Sequence, residues 1–195
     1  MGQSTDRTNQ GQLGSLRNQF LIAMPSLNES IFSHTITYIC DHSEDGAMGL
    51  VINQPLGIDM GEIYQQLDCN DVGYHSSQAV LCGGPVQPDR GFILHTPEQR
   101  WESTLAVSEA VALTASRDII DAISRNLGPQ KFLVALGYAG WDAGQLEDEI
   151  ANNSWLTLPA EPHIIFDTPI EQRWSAASKS LGIDLNLISA TAGHS

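Results

Sequence analysis

Residues Lys131-Phe-Leu-Val-Ala-Leu-Gly137 hold five apolar side chains in succession. A run with no polar position at every second residue has no face suited to water, so both of its faces must be covered. It is far shorter than the roughly 18 residues that cross a bilayer. It therefore predicts a central strand, and the rest of the chain must supply two layers around it. The other apolar runs are also of strand length. Gln19–Met24 stops at Pro25. Thr35–Cys40 alternates small polar with apolar residues, the pattern of a half-buried strand. Asp45-Gly46 is a turn signal, and Met48–Asn53 follows it, which predicts a hairpin. Ala79–Cys82 and Phe92–His95 flank Gly83-Gly84-Pro85, and Trp155–Leu158 and His163–Phe166 read as further short strands.

Helical periodicity is confined to four places. Ile119, Ile120, Ile123 and Leu127 share one face, and Gly128-Pro129 ends that helix. Asp142, with Gln145 three residues on, predicts the cap of a second helix reaching Asn152. Thr168-Pro-Ile-Glu171 has the form of a capping box with proline at the first helical position, and Ile170, Trp174, Ala177 and Leu181 form the stripe behind it. A fourth, weaker helix covers Met60 to Leu67. Strands and helices do not alternate regularly, which predicts an α+β fold over a doubly wound sheet. Residues 1–15, rich in Gln, Gly, Ser, Thr and Asn, read as a disordered tail, and residues 16–195 as a single domain.

Charge excludes several functions. The chain has nine Lys and Arg against 23 Asp and Glu, for a net charge of -14, and no two basic residues are adjacent. Such a surface repels polyanions, so direct binding to nucleic acid or to an anionic membrane is not expected. The first 17 residues contain no apolar stretch of signal-peptide type. Asp6 stands where a myristoylation start requires Ser or Thr. Cys40, Cys69 and Cys82 are odd in number and widely spaced. They predict neither a disulfide framework nor a cysteine-based zinc site, and they suit the reducing cytoplasm.

Motifs that perform chemistry are scarce. There is no Gly-x-Ser-x-Gly elbow and no phosphate-binding loop. The nearest histidines, His34 and His42, are eight residues apart. Gly137-Tyr-Ala-Gly140 precedes a helix whose first turns are acidic and would repel a phosphate. Cys40-Asp41-His42 is the strongest polar cluster. On a regular strand Cys40 and His42 would share a face, which suggests either a nucleophile pair or simply a buried thiol beside a polar hairpin end. The second reading is preferred. No cofactor and no metal is expected.

Three turns follow apolar strands directly: Asn53-Gln54-Pro55, Gly83-Gly84-Pro85 and Gly140-Trp141. Backbone groups leaving a sheet at such turns need partners. If the turns gather at one sheet edge, Asn53, Gly83, Gly84, Gly140 and Trp141, with His95 and Gln145 close by, would line a binding patch for a small molecule or peptide. Gln145 would contribute only if it is not spent on its own helix cap. If the turns lie apart, they only reverse the chain.

Several segments in order carry a resemblance. They include Cys40-Asp-His42, Gly46-Ala-Met-Gly-Leu-Val-Ile-Asn53, Gly83-Gly-Pro-Val86, Gly91-Phe-Ile-Leu-His95, Ser116-Arg-Asp118, Leu136-Gly-Tyr-Ala-Gly-Trp141, Gly144-Gln-Leu-Glu147, Asn153-Ser-Trp-Leu156, Phe166-Asp167 and Arg173-Trp174. From Leu16 to Gly193-His194 the set resembles the bacterial AlgH/YqgE family. The resemblance implies an α+β fold with a bifurcated, mixed and largely antiparallel sheet curled into a pseudo-barrel with packed helices. It brings no established activity and no catalytic residues; one branch is named for an effect on alginate production, described as transcriptional regulation. The sequence thus points to a non-catalytic regulatory or binding protein with a protein or small-molecule partner, any effect on transcription being indirect. The alternative is a hydrolase or transferase whose site lies at strand ends.

Overall fold

The computed structural model describes residues 14–24 and 32–184. Ten strands run in the order β1 (Gln19–Ala23), β2 (Ile36–Ser43), β3 (Gly46–Val51), β4 (Pro55–Asp59), β5 (Ala79–Cys82), β6 (Val86–His95), β7 (Thr104–Ala106), β8 (Ala112–Thr114), β9 (Phe132–Asp142) and β10 (Trp155–Pro159). The helices are α1 (Met60–Leu67), α2 (Arg117–Ser124), α3 (Gln145–Ala151), α4 (Pro162–Phe166) and α5 (Arg173–Ser180). The class is α+β, with a curled, mostly antiparallel half-barrel, as the sequence led one to expect. None of the described helices is long and apolar enough to cross a membrane.

The apolar run at 132–136 lies in β9, the strand where the sheet divides. One edge of β9 pairs antiparallel with β6 from Phe132 to Tyr138. The other edge is shared. Ala135 and Leu136 pair in parallel with β5, whereas Ala139 to Asp142 pair antiparallel with β3. From β3 the sheet continues through β2, β1 and β10; from β6 it continues through β8 to β7.

Gly83 occupies the fork. Its N–H donates to Leu136 O at 2.8 Å and its carbonyl accepts from Val51 N–H at 2.9 Å, which ties both branches to one residue. A Cβ on Gly83 would stand 2.3 Å from Gly137 O, and one on Gly84 about 2.2 Å from the Tyr138 carbonyl carbon. Only backbone without side chains fits here. Gly137, at φ +75°, absorbs an irregularity in the pairing with β6 and changes which face the following residues take. Leu133 and Ala135 face the inner core with Phe20, Tyr38, Leu50 and Leu94. Phe132 and Val134 pack outward against Met60, Tyr64, Ile119 and Ile123 of α1 and α2. Beyond Gly137, Ala139 and Trp141 join a third cluster with Leu21, Ile39, Leu146 and Trp155.

Several local expectations need correction. His163–Phe166 is helical, begun by Pro162 in its first turn, and Ile164 and Ile165 are buried in the inner core. Two adjacent buried residues fit a helix face packed on a core as well as a strand buried on both sides. The box at Thr168 does not form: Thr168 Oγ1 donates back to His163 O at 3.0 Å, and a 3-10 turn at Ile170–Gln172 leads into α5. The box that does form is at α1, where Asp59 accepts from the Glu62 N–H and Glu62 accepts from the Asp59 N–H. Helix α2 ends at Ser124, so Leu127 lies beyond it and is 61% exposed. Gly140 and Trp141 belong to β9 and not to a turn. The expected tail lies outside the described residues as far as position 13, as does Gly193-His194.

Candidate functional site

The pairing of β2 with β3 slips by one residue: Ile39 faces Gly49, but Asp41 faces Met48. Cys40 is the extra residue of a β-bulge, and a bulge exchanges the faces of everything after it. Residues paired across strands share a face, so Asp41 lies on the Met48 side and His42 on the Ala47 side. The expectation that Cys40 and His42 share a face is therefore corrected. Cys40 is fully buried among apolar side chains, and burial pushes its thiol well above the ordinary range. A nucleophile pair is not formed.

His42 is closed off on the α3 side. Its Nδ1 accepts the Leu16 N–H at 2.8 Å, which leaves the proton on Nε2, and Nε2–H donates to Glu147 Oε1 at 2.5 Å. Its side chain is only 6% exposed. The partnership holds the Glu147 carboxyl below the ordinary carboxylate range. The same helix binds both tryptophans of the third cluster: the indole N–H groups of Trp141 and Trp155 donate to Glu149 Oε2 at 2.9 and 2.7 Å. Gln145 supports this arrangement, donating to Glu149 Oε1 and accepting from the Asp142 N–H. Asp142 itself makes no cap; Gly144 stands at the N-cap position.

On the opposite face the bulge opens an elongated groove of about 600 Å³. One wall is β6. Between Val86, opposite Tyr138, and Gly91, opposite Leu136, four residues of β6 stand against the single Gly137. Gln87, Pro88, Asp89 and Arg90 are therefore pushed out as an exposed arm. The floor holds Met48, Phe92 and Tyr138, with the last two rings edge to face at 5.5 Å. Arg90 lies 5.3 Å over the Phe92 ring and donates to Gln87 Oε1. Asp41, Asp45 and Asp142 stand around the groove, Asp41 within 3.8 Å of Arg17. The lining includes no histidine, cysteine or lysine. It can hold an apolar side chain and attract positive charge, but it offers no pairing of acid with base.

The residues singled out from sequence do not all come together. Gly140 and Trp141 line this groove. Asn53 lies elsewhere, accepting the Ile36 N–H and donating to His34 O, which pins the entry to β2. Gly83 and Gly84 fill the fork. His95 is fully buried, with Nδ1 at 2.9 Å from Thr96 O and Nε2 at 2.7 Å from Thr114 Oγ1; burial lowers its pKa. Gln145 is spent on Asp142 and Glu149. Asp41, from the Cys40-Asp41-His42 cluster, enters this groove; Met48, Arg90 and Tyr138 are not among the residues the sequence singles out. The bulges that place them leave no periodic signal in the sequence. Among the described residues no three His, Cys, Asp or Glu side chains gather where a metal ion would fit.

This architecture has relatives. A family model described as AlgH-like matches residues 20–186. The chain belongs to the AlgH-like family. A UPF0301 protein of Saccharophagus degradans is 57% identical over 184 residues, which cover 94% of this chain and 91% of that one. A UPF0301 protein of Thioalkalivibrio sulfidiphilus is 54% identical over 177 residues, covering 91% and 95%. The solution structure of the AlgH protein from Pseudomonas aeruginosa matches with a TM-score of 0.78 at 46% identity over 100% of both chains. A Corynebacterium diphtheriae crystal structure, at 20% identity and a TM-score of 0.71 over 88% and 90% of the chains, shares the fold. These similar proteins are all bacterial, and both solved structures share the fold.

Proposed function

We propose that this protein is a non-catalytic, cytoplasmic binding protein whose groove takes a basic, amphipathic segment of another protein. The observation that carries the reading is the groove itself: Met48, Phe92 and Tyr138 form an apolar floor, and three aspartates surround it. A segment with one apolar side chain between lysines or arginines would bury that side chain on the floor and set its charges against Asp41, Asp45 and Asp142. The net charge of -14 attracts such a partner over long range and repels nucleic acid. Gly140 and Trp141 contribute directly; Asn53, Gly83, Gly84, His95 and Gln145 serve as the frame. Three free cysteines fit a reducing compartment. Any influence on transcription would pass through the bound protein.

Fluorescence anisotropy with a panel of labelled peptides tests this. Peptides with an aromatic or leucine flanked by Lys or Arg should bind, and Glu-flanked counterparts should not. Replacing Asp41, Asp45 and Asp142 together by Asn should weaken binding about tenfold, since exposed ion pairs contribute about 0.5 kcal/mol each. Equal binding of acidic and basic peptides, or no loss in the triple variant, overturns the reading.

A further inference from the structure

A second cavity, of about 340 Å³, lies among β5, the start of β9 and the segment from α4 to α5. Its lining differs in charge from that of two other hollows. The hollow beside α1 is lined by Asp59, Glu62, Asp68 and Asp71, and the peptide groove by three aspartates. This cavity has no carboxylate in its lining, although the chain carries 23. It is lined instead by Arg173, Lys131 and His75, which include two of the chain's nine Lys and Arg residues. We propose that it is a binding site for a small organic anion, a carboxylate carried on an apolar body.

Arg173 is the centre of the site. It is 7% exposed, and its hydrogen bonds to described residues go to carbonyl oxygens: Nε–H donates to Thr168 O at 3.0 Å and Nη1 to Ile52 O at 2.6 Å. No carboxylate of the described residues comes within ion-pair distance of it. Burial lowers its pKa to about 10, an effect that Glu171 opposes from the 3-10 turn. A buried charge without a counter-charge is costly, and chains retain one where something else supplies the counter-charge. Nη2 and the second proton of Nη1 have no acceptor among the described residues. The planar fork of a guanidinium matches the two oxygens of a carboxylate.

The remaining walls set the rest of the ligand. Leu81, Phe132, Leu133, Phe166 and Ile170 enclose the cavity with hydrocarbon and aromatic surface. At the edge Lys131 is half-exposed and pairs with Asp167 at 2.7 Å, so it borders the cavity as an ion pair and Arg173 carries the uncompensated positive charge. His75 lies edge-on to Phe132 with its Nε2 on Asn126 Oδ1. The volume is near the lower end for small-molecule sites, which fits a single ring or a short chain. A phosphate dianion would demand more donors than the free end of one guanidinium and one lysine offers.

Nitrogen-15 NMR of the full chain tests this with sodium benzoate, phenyl phosphate and benzylamine as probes. Benzoate should shift the Lys131, Phe132, Ile170 and Arg173 signals saturably, and benzylamine should leave them unmoved. Arg173→Lys keeps the charge but loses the fork, and should weaken benzoate binding about tenfold or more. Lys131→Glu changes an exposed position and should weaken it about threefold; it decides the matter should the Arg173 variant not fold. Absence of saturable shifts at about 10 mM benzoate, which corresponds to negligible affinity, overturns the proposal. So do equal shifts with benzylamine, unchanged binding in Lys131→Glu, or tighter binding of phenyl phosphate, which would make the site a phosphate site.

Discussion

Trp141 and Trp155 meet edge to face, with ring centroids 6.0 Å apart, and point both indole N–H groups at one oxygen of Glu149. One strand lies at the sheet's division and the other at its far edge, so the carboxylate of α3 joins parts of the sheet that do not pair with each other. Glu149→Ala leaves two largely buried N–H donors without an acceptor. Each costs about 1–3 kcal/mol, so a loss of roughly 2–4 kcal/mol is expected in urea unfolding. Glu149→Gln keeps an acceptor oxygen and should cost less than half as much. Equal losses in the two variants would refute the shared-acceptor account.

Gly83→Ala should be among the most damaging single changes in the chain. The added methyl would sit 2.3 Å from a backbone oxygen, Gly137 O, which no rotamer change relieves. Moving β9 or β5 to make room breaks the bonds that hold the fork. Destabilisation above about 4 kcal/mol is expected, large enough to unfold a marginal domain. Circular dichroism melting checks it; a melting temperature near that of the parent would show that the fork is not rigid.

The His42–Glu147 contact predicts a pH dependence. Hydrogen bonding from His42 lowers the Glu147 pKa from its ordinary value of 4.5. The folded state therefore binds that proton less readily than the unfolded state. The stabilisation is complete above the unfolded value and is lost as pH falls through the lower, folded one. Glu147→Gln should lower stability at neutral pH and converge with the parent as pH falls, which flattens the acid side of the stability curve. The difference between the two proteins in chemical denaturation from pH 3 to 6 reads this directly.

Binding to duplex DNA should be undetectable at physiological salt. Affinity for DNA comes largely from cations that neutralise phosphates, and this chain has nine Lys and Arg, none adjacent, against 23 acidic residues. Arg17 and Arg117 are further engaged with backbone carbonyl groups. A gel shift showing specific submicromolar binding by the purified protein would contradict this.

Much of the frame can be read without coordinates. Five consecutive apolar residues have no way to meet water, so the placement of 132–136 at the centre of a sheet follows from composition alone. The glycines at 83 and 84, beside a proline, mark a tight connection for the same local reason. Residues 163–166 fit a strand as well as the helix they form, because four residues are too few to separate a period of 3.6 from a buried strand. Their identity is set by the inner core they cover.

The candidate sites belong to the other kind of information. Local preference determines that residues 36–43 extend, but not that β2 slips by one residue against β3. β3 is held on its other edge by β9, a strand 90 or more residues further along the chain with no local signature in residues 36–43. The slip sends His42 to α3 and Asp41 to the groove, although the two are neighbours in sequence. Arg173 likewise reads as an ordinary helix residue. Its burial, and its lack of a carboxylate, arise where α5 is laid over Ile52, 121 residues away along the chain. Sequence determines which segments must be covered. Register and long-range packing decide which polar groups are left facing an open space, because those depend on contacts between segments with no local signature.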